Sequence, residues 1–231
     1  MDVLIFGAGG HGRVVLDIVR SAGVYRAIGF LDGNTLLHGR RVDGLPVLGD
    51  LSLLEKLKIE GVEGAVVAVG DNGVRREYAE IIDQSGLSLV NAIHASANIA
   101  STCTIGSNVV VAAGSVVCAH CQIGNSVILN TACIVDHESI IGNAAHICPG
   151  ARLAGRVIVE AGAFIGIGAT VIQNVRIGAD AVVGAGAVVI KDVPAGTTVV
   201  GVPARPIKSA RSVPVRFSAN FDSQLQESIV S

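Results

Sequence analysis

The segment Val135-Asp136-His137-Glu138-Ser139 sets an imidazole beside a carboxylate. A neutral imidazole can take a proton from an attacking amine, and an adjacent anion raises its basicity. His137 and Glu138 therefore read as a general base with its tuner; the plainer alternative is a solvated surface histidine. A second histidine, His146, follows nine residues later, and Gly155 follows His137 by 18. A bare backbone amide at Gly155 could donate to a carbonyl oxygen as it becomes an oxyanion, and removing such a donor costs about 3 kcal/mol. Near the N-terminus, Gly7-Ala8-Gly9-Gly10-His11-Gly12 satisfies G-x-G-x-x-G, and Asp32 follows where an acidic residue meets a ribose hydroxyl. Bare backbone in such a loop lets a pyrophosphate approach a helix N-terminus. The bland alternative is a turn that only packs helix on strand, and His11 inside the loop argues against it.

These residues need elements to hold them, and the sequence supplies two kinds. From Ile93 to Val189 every sixth residue is aliphatic, 17 positions without a break, and the residue four places after each is small or Val. Both columns must face inward. A six-residue period is the mark of a β-helix, in which each hexapeptide gives one short strand and a turn and buries its apolar face only by stacking. The repeat resembles that of the hexapeptide acyltransferases, whose coils have three sides and wind left-handedly; 17 repeats then make between five and six coils of 18 residues. His137, two residues past inward Val135, points outward. His146 lies half a coil away, so within one chain the two should not cooperate. Side-by-side packing would bring His146 of one protomer to His137 of the next, and three-fold closure suits a triangular prism. Gly155 stacks one coil from His137, about 4.8 Å distant.

Residues 1–92 have a different grammar. Strand Val3–Phe6, the glycine loop, a helix carrying Val14 to Val19 and strand Ala27–Leu31 make one βαβ unit. Asp50 can cap a second helix running through Leu57; Ala65–Val69 is a third strand and Val74–Gln84 another helix. This is half of a doubly wound nucleotide-binding fold, a half-Rossmann βαβαβ. A dinucleotide spans two such halves, so a nucleotide-sugar fits better than NAD. The expected division is residues 1–92, residues 93–208 and a polar tail at 209–231.

Cys118, His120 and Cys121 look superficially like metal ligands. The register places Cys121 in the inward small-residue column with Cys103 and Cys133, where cysteine is a compact apolar filler, so no metal is expected. Cys148 follows inward Ile147 with no basic neighbour in sequence to activate it as an acyl carrier. Charged residues make up 16% of the chain and the formal charge is -2, which leaves no basic surface for nucleic acid or an anionic membrane. No apolar run is long enough to span a bilayer, and the start lacks the pattern of a secretory signal, so a cytoplasmic protein is expected. Five cysteines in a reducing compartment imply no disulfide framework.

At Gly7–Gly12 and Val135–Gly155 the chain resembles the bacterial nucleotide-sugar N-acetyltransferases of bacillosamine and related 4-amino-sugar pathways, kin of the sialic acid O-acetyltransferases. Gly201-Val202-Pro203-Ala204-Arg205 is similar to the segment that closes their β-helices. The resemblance implies an acetyl-CoA-dependent homotrimer with sites between adjacent subunits. In it His137 accepts the proton, Glu138 raises its basicity, and His146, Gly155, Ile167 and Ala185 contact the cofactor, the last two along its pantetheine arm in one groove running along the coils. Gly9, Gly10, His11, Asp32, Gly33 and Gly70 match the sugar-nucleotide contacts. Some relatives carry a second acidic residue where this chain has Gly33, which leaves uracil, thymine and guanine open. O-acetylation of a sugar and a non-catalytic nucleotide-sugar sensor are the rival readings.

Overall fold

The computed structural model describes residues 1–207; the expected tail, residues 209–231, lies outside the described residues. The chain begins with β1 (Asp2–Phe6), α1 (Gly10–Ala22), β2 (Arg26–Leu31), a hairpin of β3 (Arg41–Val42) and β4 (Leu45–Gly49), then α2 (Leu54–Ile59), β5 (Gly64–Val67), α3 (Asn72–Ser85) and β6 (Ser88–Leu89). The sheet order is β3-β4-β2-β1-β5-β6, all parallel except β3 on β4. The three strands legible in the sequence form its centre. The hairpin was signalled by Asp43-Gly44, both at positive φ (45° and 81°), the conformation a two-residue hairpin turn demands. Asp50 does cap, but its carboxylate takes the Ser52 amide at the head of a short 3₁₀ turn, Leu51–Leu53, that precedes α2.

Glycines fix the entry to α1. Gly7 has φ +99°, and a Cβ on Gly12 would stand 2.0 Å from the Gly7 carbonyl oxygen. Gly12→Ala should therefore cost several kcal/mol, about the range for overpacking a core, read as a fall in the urea midpoint. Gly9 and Gly10 are different: a Cβ on either would meet nothing within 4 Å. Their bareness leaves room above the helix N-terminus.

The remainder is a left-handed parallel β-helix. Its first face runs from strand Ala92–Ile93 to Thr198–Val200, its second from Asn98–Ile99 to Val188–Val189, and its third from Thr104–Ile105 to Arg176–Ile177. Paired residues are 18 apart, as in Val117, Val135 and Leu153. The two inward columns form one continuous core from Val109 to Val199. At most corners the third residue past the inward aliphatic is left-handed, including non-glycines such as Asn108, Ser126, Glu138 and Ala144. That costs about 1 kcal/mol or more each, offset by the ladder it continues. The α/β part sits on the first face: Val15, Ile18 and Val19 of α1 share a buried cluster with Val110, Ala112 and Ile128.

Candidate active site

His137 occupies the edge between the second and third faces, outside the core, with its side chain 47% exposed. Its Nδ1 lies 3.1 Å from Glu138 Oε2. A carboxylate accepts, so Nδ1 carries the proton and the lone pair is left on Nε2. Glu138 is itself within 3.6 Å of the Arg156 guanidinium. The His137 amide is tied to Asp136 Oδ1 at 2.7 Å and its carbonyl takes the Arg156 amide at 2.8 Å, which holds the corner rigidly. Gly155 lies directly beneath the ring: a Cβ there would stand 2.4 Å from His137 Nε2. The Gly155 N–H makes no hydrogen bond among the described residues. The His137 ring and a glycine with an unpaired amide thus adjoin on one edge.

The same corner position recurs in every coil, and its N–H is not used by the inter-coil backbone ladder. Ile167 and Ala185 occupy it one coil apart, their N–H groups without a partner among the described residues, Ile167 being 61% exposed. They do not continue the His137 edge. They lie on the edge between the first and second faces, so the second face separates them from Gly155. A groove along the stacked coils can hold Ile167 and Ala185, but within one chain Gly155 lies on another edge, because 12 residues from Gly155 to Ile167 are two thirds of a coil.

His146 is on the first face beneath the α/β part and is 8% exposed. Asn130 Oδ1 accepts the Thr131 amide, which turns the Asn130 amide nitrogen to His146 Nε2 at 3.1 Å. The His146 proton therefore sits on Nδ1, beside the Gly70 backbone. His11 comes down from the glycine loop to a ring separation of 6.5 Å from His146, and Phe164 packs edge-on at 5.2 Å. Among the described residues, His11 Nε2 and His146 Nδ1 are both buried without a hydrogen-bond partner. Burial, helped by the nearby Arg75 charge, pushes His11 down to about 4 and His146 down to about 3. The unfolded chain, titrating at 6.5, binds protons that the folded one refuses. Stability is thus complete above pH 6.5 and falls as the pH drops toward 4. Each histidine should cost roughly 2 kcal/mol between pH 7 and pH 5, measured by urea unfolding, and a His11→Gln, His146→Asn double variant should flatten the slope.

A cavity of about 490 Å³ opens at the C-terminal ends of the sheet strands, lined by Phe6, Gly7, Leu31, Asp32, Gly33, Asp50, Leu51, Val69, Val74 and Tyr78. This is where open α/β sheets bind nucleotides. Asp32 braces the mouth: its carboxylate accepts the Ala8 amide at 2.7 Å and the Asn34 amide at 2.8 Å. It joins the glycine loop to the end of β2, whatever else it contacts. A side chain at Gly33 would point at the Tyr78 hydroxyl, 3.9 Å from its Cβ.

Cys121, Cys133 and Cys148 are buried, and burial drives their thiols up, to about 11, 11 and 12 respectively. None is a ready nucleophile. Among the described residues no group of three His, Cys, Asp or Glu could hold a metal ion, and no helix is long and apolar enough to cross a membrane. Sequence reasoning missed Arg75. Its signal was there: Arg75, Ala79 and Ile82 are the buried stripe of α3, and an arginine stands where the pattern calls for an apolar residue.

A nucleotide-type α/β sheet docked on a hexapeptide β-helix, with an exposed histidine stacked on a glycine whose amide is unpaired among the described residues, defines an acyltransferase of the left-handed β-helix class. Residues 2–82 match the family model described as the PglD N-terminal domain. Perosamine N-acetyltransferase from Caulobacter crescentus, solved as a histidine-substituted form with CoA and GDP-perosamine, is 40% identical with a TM-score of 0.87, over 90% of this chain and 98% of that one. The acetyltransferase domain of PglB from Neisseria gonorrhoeae is 40% identical with a TM-score of 0.85, over 89% of this chain and 99% of that one. WeeI from Acinetobacter baumannii is 25% identical with a TM-score of 0.63, over 90% and 100%. No curated protein matches the chain. The chain belongs to the nucleotide amino-sugar N-acetyltransferases.

Proposed function

We propose that this protein transfers the acetyl group of acetyl-CoA to the amine of a nucleotide-linked 4-amino-4,6-dideoxy sugar by direct attack. Acetyl-CoA is the cosubstrate that supplies the activated acyl group. His137 Nε2 takes the proton from the amine as its nitrogen bonds to the acetyl carbon, and Glu138 steadies the imidazolium. The Gly155 N–H receives the developing oxyanion; the carbon–sulfur bond breaks, and the thiolate leaves with the proton returned by His137. The observation that carries this reading is His137 Nε2 poised over the unpaired Gly155 amide.

The free amides of Ile167 and Ala185 suit the amide-rich pantetheine arm, with His146 nearby on the adjoining face. Because these stand on a different edge from His137, the complete site is read as lying between subunits of a homotrimer in the cytoplasm. The working division is a nucleotide-sugar domain at 1–92 and a catalytic β-helix at 93–208. In the first, Gly9, Gly10 and His11 approach the phosphates, Asp32 and Gly33 the nucleoside, and Gly70 the sugar. The base is read as guanine. Bare Gly33 opposite Tyr78 leaves space for a purine, the rim carboxylate of Asp50 can accept from a base edge with two adjacent donors, and the 40%-identical relative holds GDP-perosamine.

The test is thiol release from acetyl-CoA with UDP-, dTDP- and GDP-linked 4-amino-4,6-dideoxy sugars. Turnover with the GDP-linked substrate is expected. Silence across the panel with sialic acid accepted instead would replace N- by O-acetylation.

A further inference from the structure

Arg75 is fully buried, and no carboxylate lies within ion-pair distance of it among the described residues. All five of its N–H donors are nevertheless used. Nε donates to the Ser126 carbonyl at 2.7 Å, Nη1 to those of Val69 and Gly70 at 3.0 and 3.2 Å, and Nη2 to Asn72 Oδ1 and the Ala144 carbonyl, both at 2.8 Å. Asn72 Nδ2 carries the contact on to the Gly162 carbonyl at 2.8 Å. Asn108 Oδ1 accepts the Val67 amide at 2.8 Å.

These partners have a pattern. Asn108, Ser126, Ala144 and Gly162 are 18 residues apart, all at positive φ, one above another along the edge between the third and first faces. Among the described residues, the carbonyls of Ser126, Ala144 and Gly162 accept no backbone hydrogen bond. A buried carbonyl left unpaired costs about 1–3 kcal/mol, so the fork of Arg75 satisfies groups that the coil geometry orphans. It also runs from the Val69–Gly70 backbone, at the mouth of the nucleotide cavity, to the coil carrying His146. Its charge adds to the burial that keeps His11 and His146 neutral.

We propose that Arg75 is a positioning residue for the transfer: it clamps the loop between β5 and α3 onto successive coils, so that a sugar anchored by its nucleotide in the α/β part arrives at a fixed height along the β-helix. Among the described residues, Val69 is the one cavity-lining residue that the Arg75 side chain hydrogen-bonds, through its carbonyl. Nucleotide affinity and turnover should therefore separate. This rests on the functional reading above.

Lysine can replace the charge but not the planar five-donor fork. In Arg75→Lys, kcat should fall about 100-fold, the scale of an ångström misplacement, with the Kd for GDP by calorimetry within about twofold of wild type and KM for acetyl-CoA unchanged. Amide exchange over residues 67–72 should quicken while that of the distal coils stays. Wild-type kcat in the folded variant overturns the proposal, as does a parallel loss of GDP affinity, which would place Arg75 in the nucleotide pocket. Should Arg75→Lys fail to fold, Asn72→Ala, which removes one acceptor and the link to Gly162, should show the same split at smaller size, and its absence there counts equally against the clamp. A wild-type protein silent on every amino sugar would sink the functional reading but not the clamp. Exchange over residues 67–72 then decides, and unchanged protection in the variant refutes it.

Discussion

His137→Ala should lower kcat by about 10³-fold, within the 10²–10⁴ that a positioned base supplies, while the dissociation constants for CoA and for the nucleotide diphosphate stay near wild type. The side chain touches no core residue: it stands outside the inward columns, and its corner is held by backbone contacts to Asp136 and Arg156 that alanine keeps. A folded variant that still binds both ligands and no longer releases thiol is the expected result. Full activity in that variant would remove His137 from the mechanism, and loss of binding without loss of kcat would make it a contact residue. Glu138→Gln should cost less, because Nδ1–H keeps an acceptor in the glutamine carbonyl and loses only the anion.

Gly155→Ala should be nearly as damaging, for a reason that can be isolated. The same corner position one coil below His137 and one coil above Gly155 is filled by Ala119 and Gln173, so the backbone there admits a side chain. What it does not admit is a Cβ 2.4 Å from His137 Nε2. The ring must swing aside, moving the base from the amide it faces, and kcat should fall about 100-fold with little change in the unfolding midpoint. In a His137→Ala background the obstruction is gone, and adding Gly155→Ala should then cost almost nothing further. That non-additivity, measured as a double-mutant cycle, separates a clash with the base from damage to the coil.

The β-helix was legible because a period of six is enforced by physics: a side chain in either inward column is sealed in the core, so the columns from Ile93 to Val193 hold aliphatic or small residues, with Ser115 and Ser139 buried and bonded to carbonyls. His137 was legible by the same rule, being two residues beyond Val135 and so outside. What could not be read is which edges come together. Ile167 and Ala185 differ by one coil and share an edge, and the 12-residue count from Gly155 already sets that edge two thirds of a turn away; what faces it the count does not say. His146 was read as an outward residue, correctly in phase, but the phase says nothing of the α/β part that covers the first face. Asp32 fitted a ribose-binding position, and the structure shows its carboxylate already bracing Ala8 and Asn34. The hairpin at Asp43-Gly44 and the arginine in the buried stripe of α3 carried signals that a three-strand reading passed over.

The 18-residue coil also governs how such a gene can change length. An insertion of one whole coil between Ile123 and Val135 would leave every later side chain on its own edge and lengthen the prism by a single step of about 4.8 Å. It would also lift His137 and His146 together past the docked arginine of α3, which, for an insertion beyond Ser126, grips carbonyls on both sides of it. A six-residue insertion would keep both inward columns and fold, yet rotate everything after it by a third of a turn and exchange the faces wholesale. Length variation among proteins built this way should therefore come in steps of 18, and fall above Gly162 rather than between Asn108 and Gly162, where the clamp counts coils.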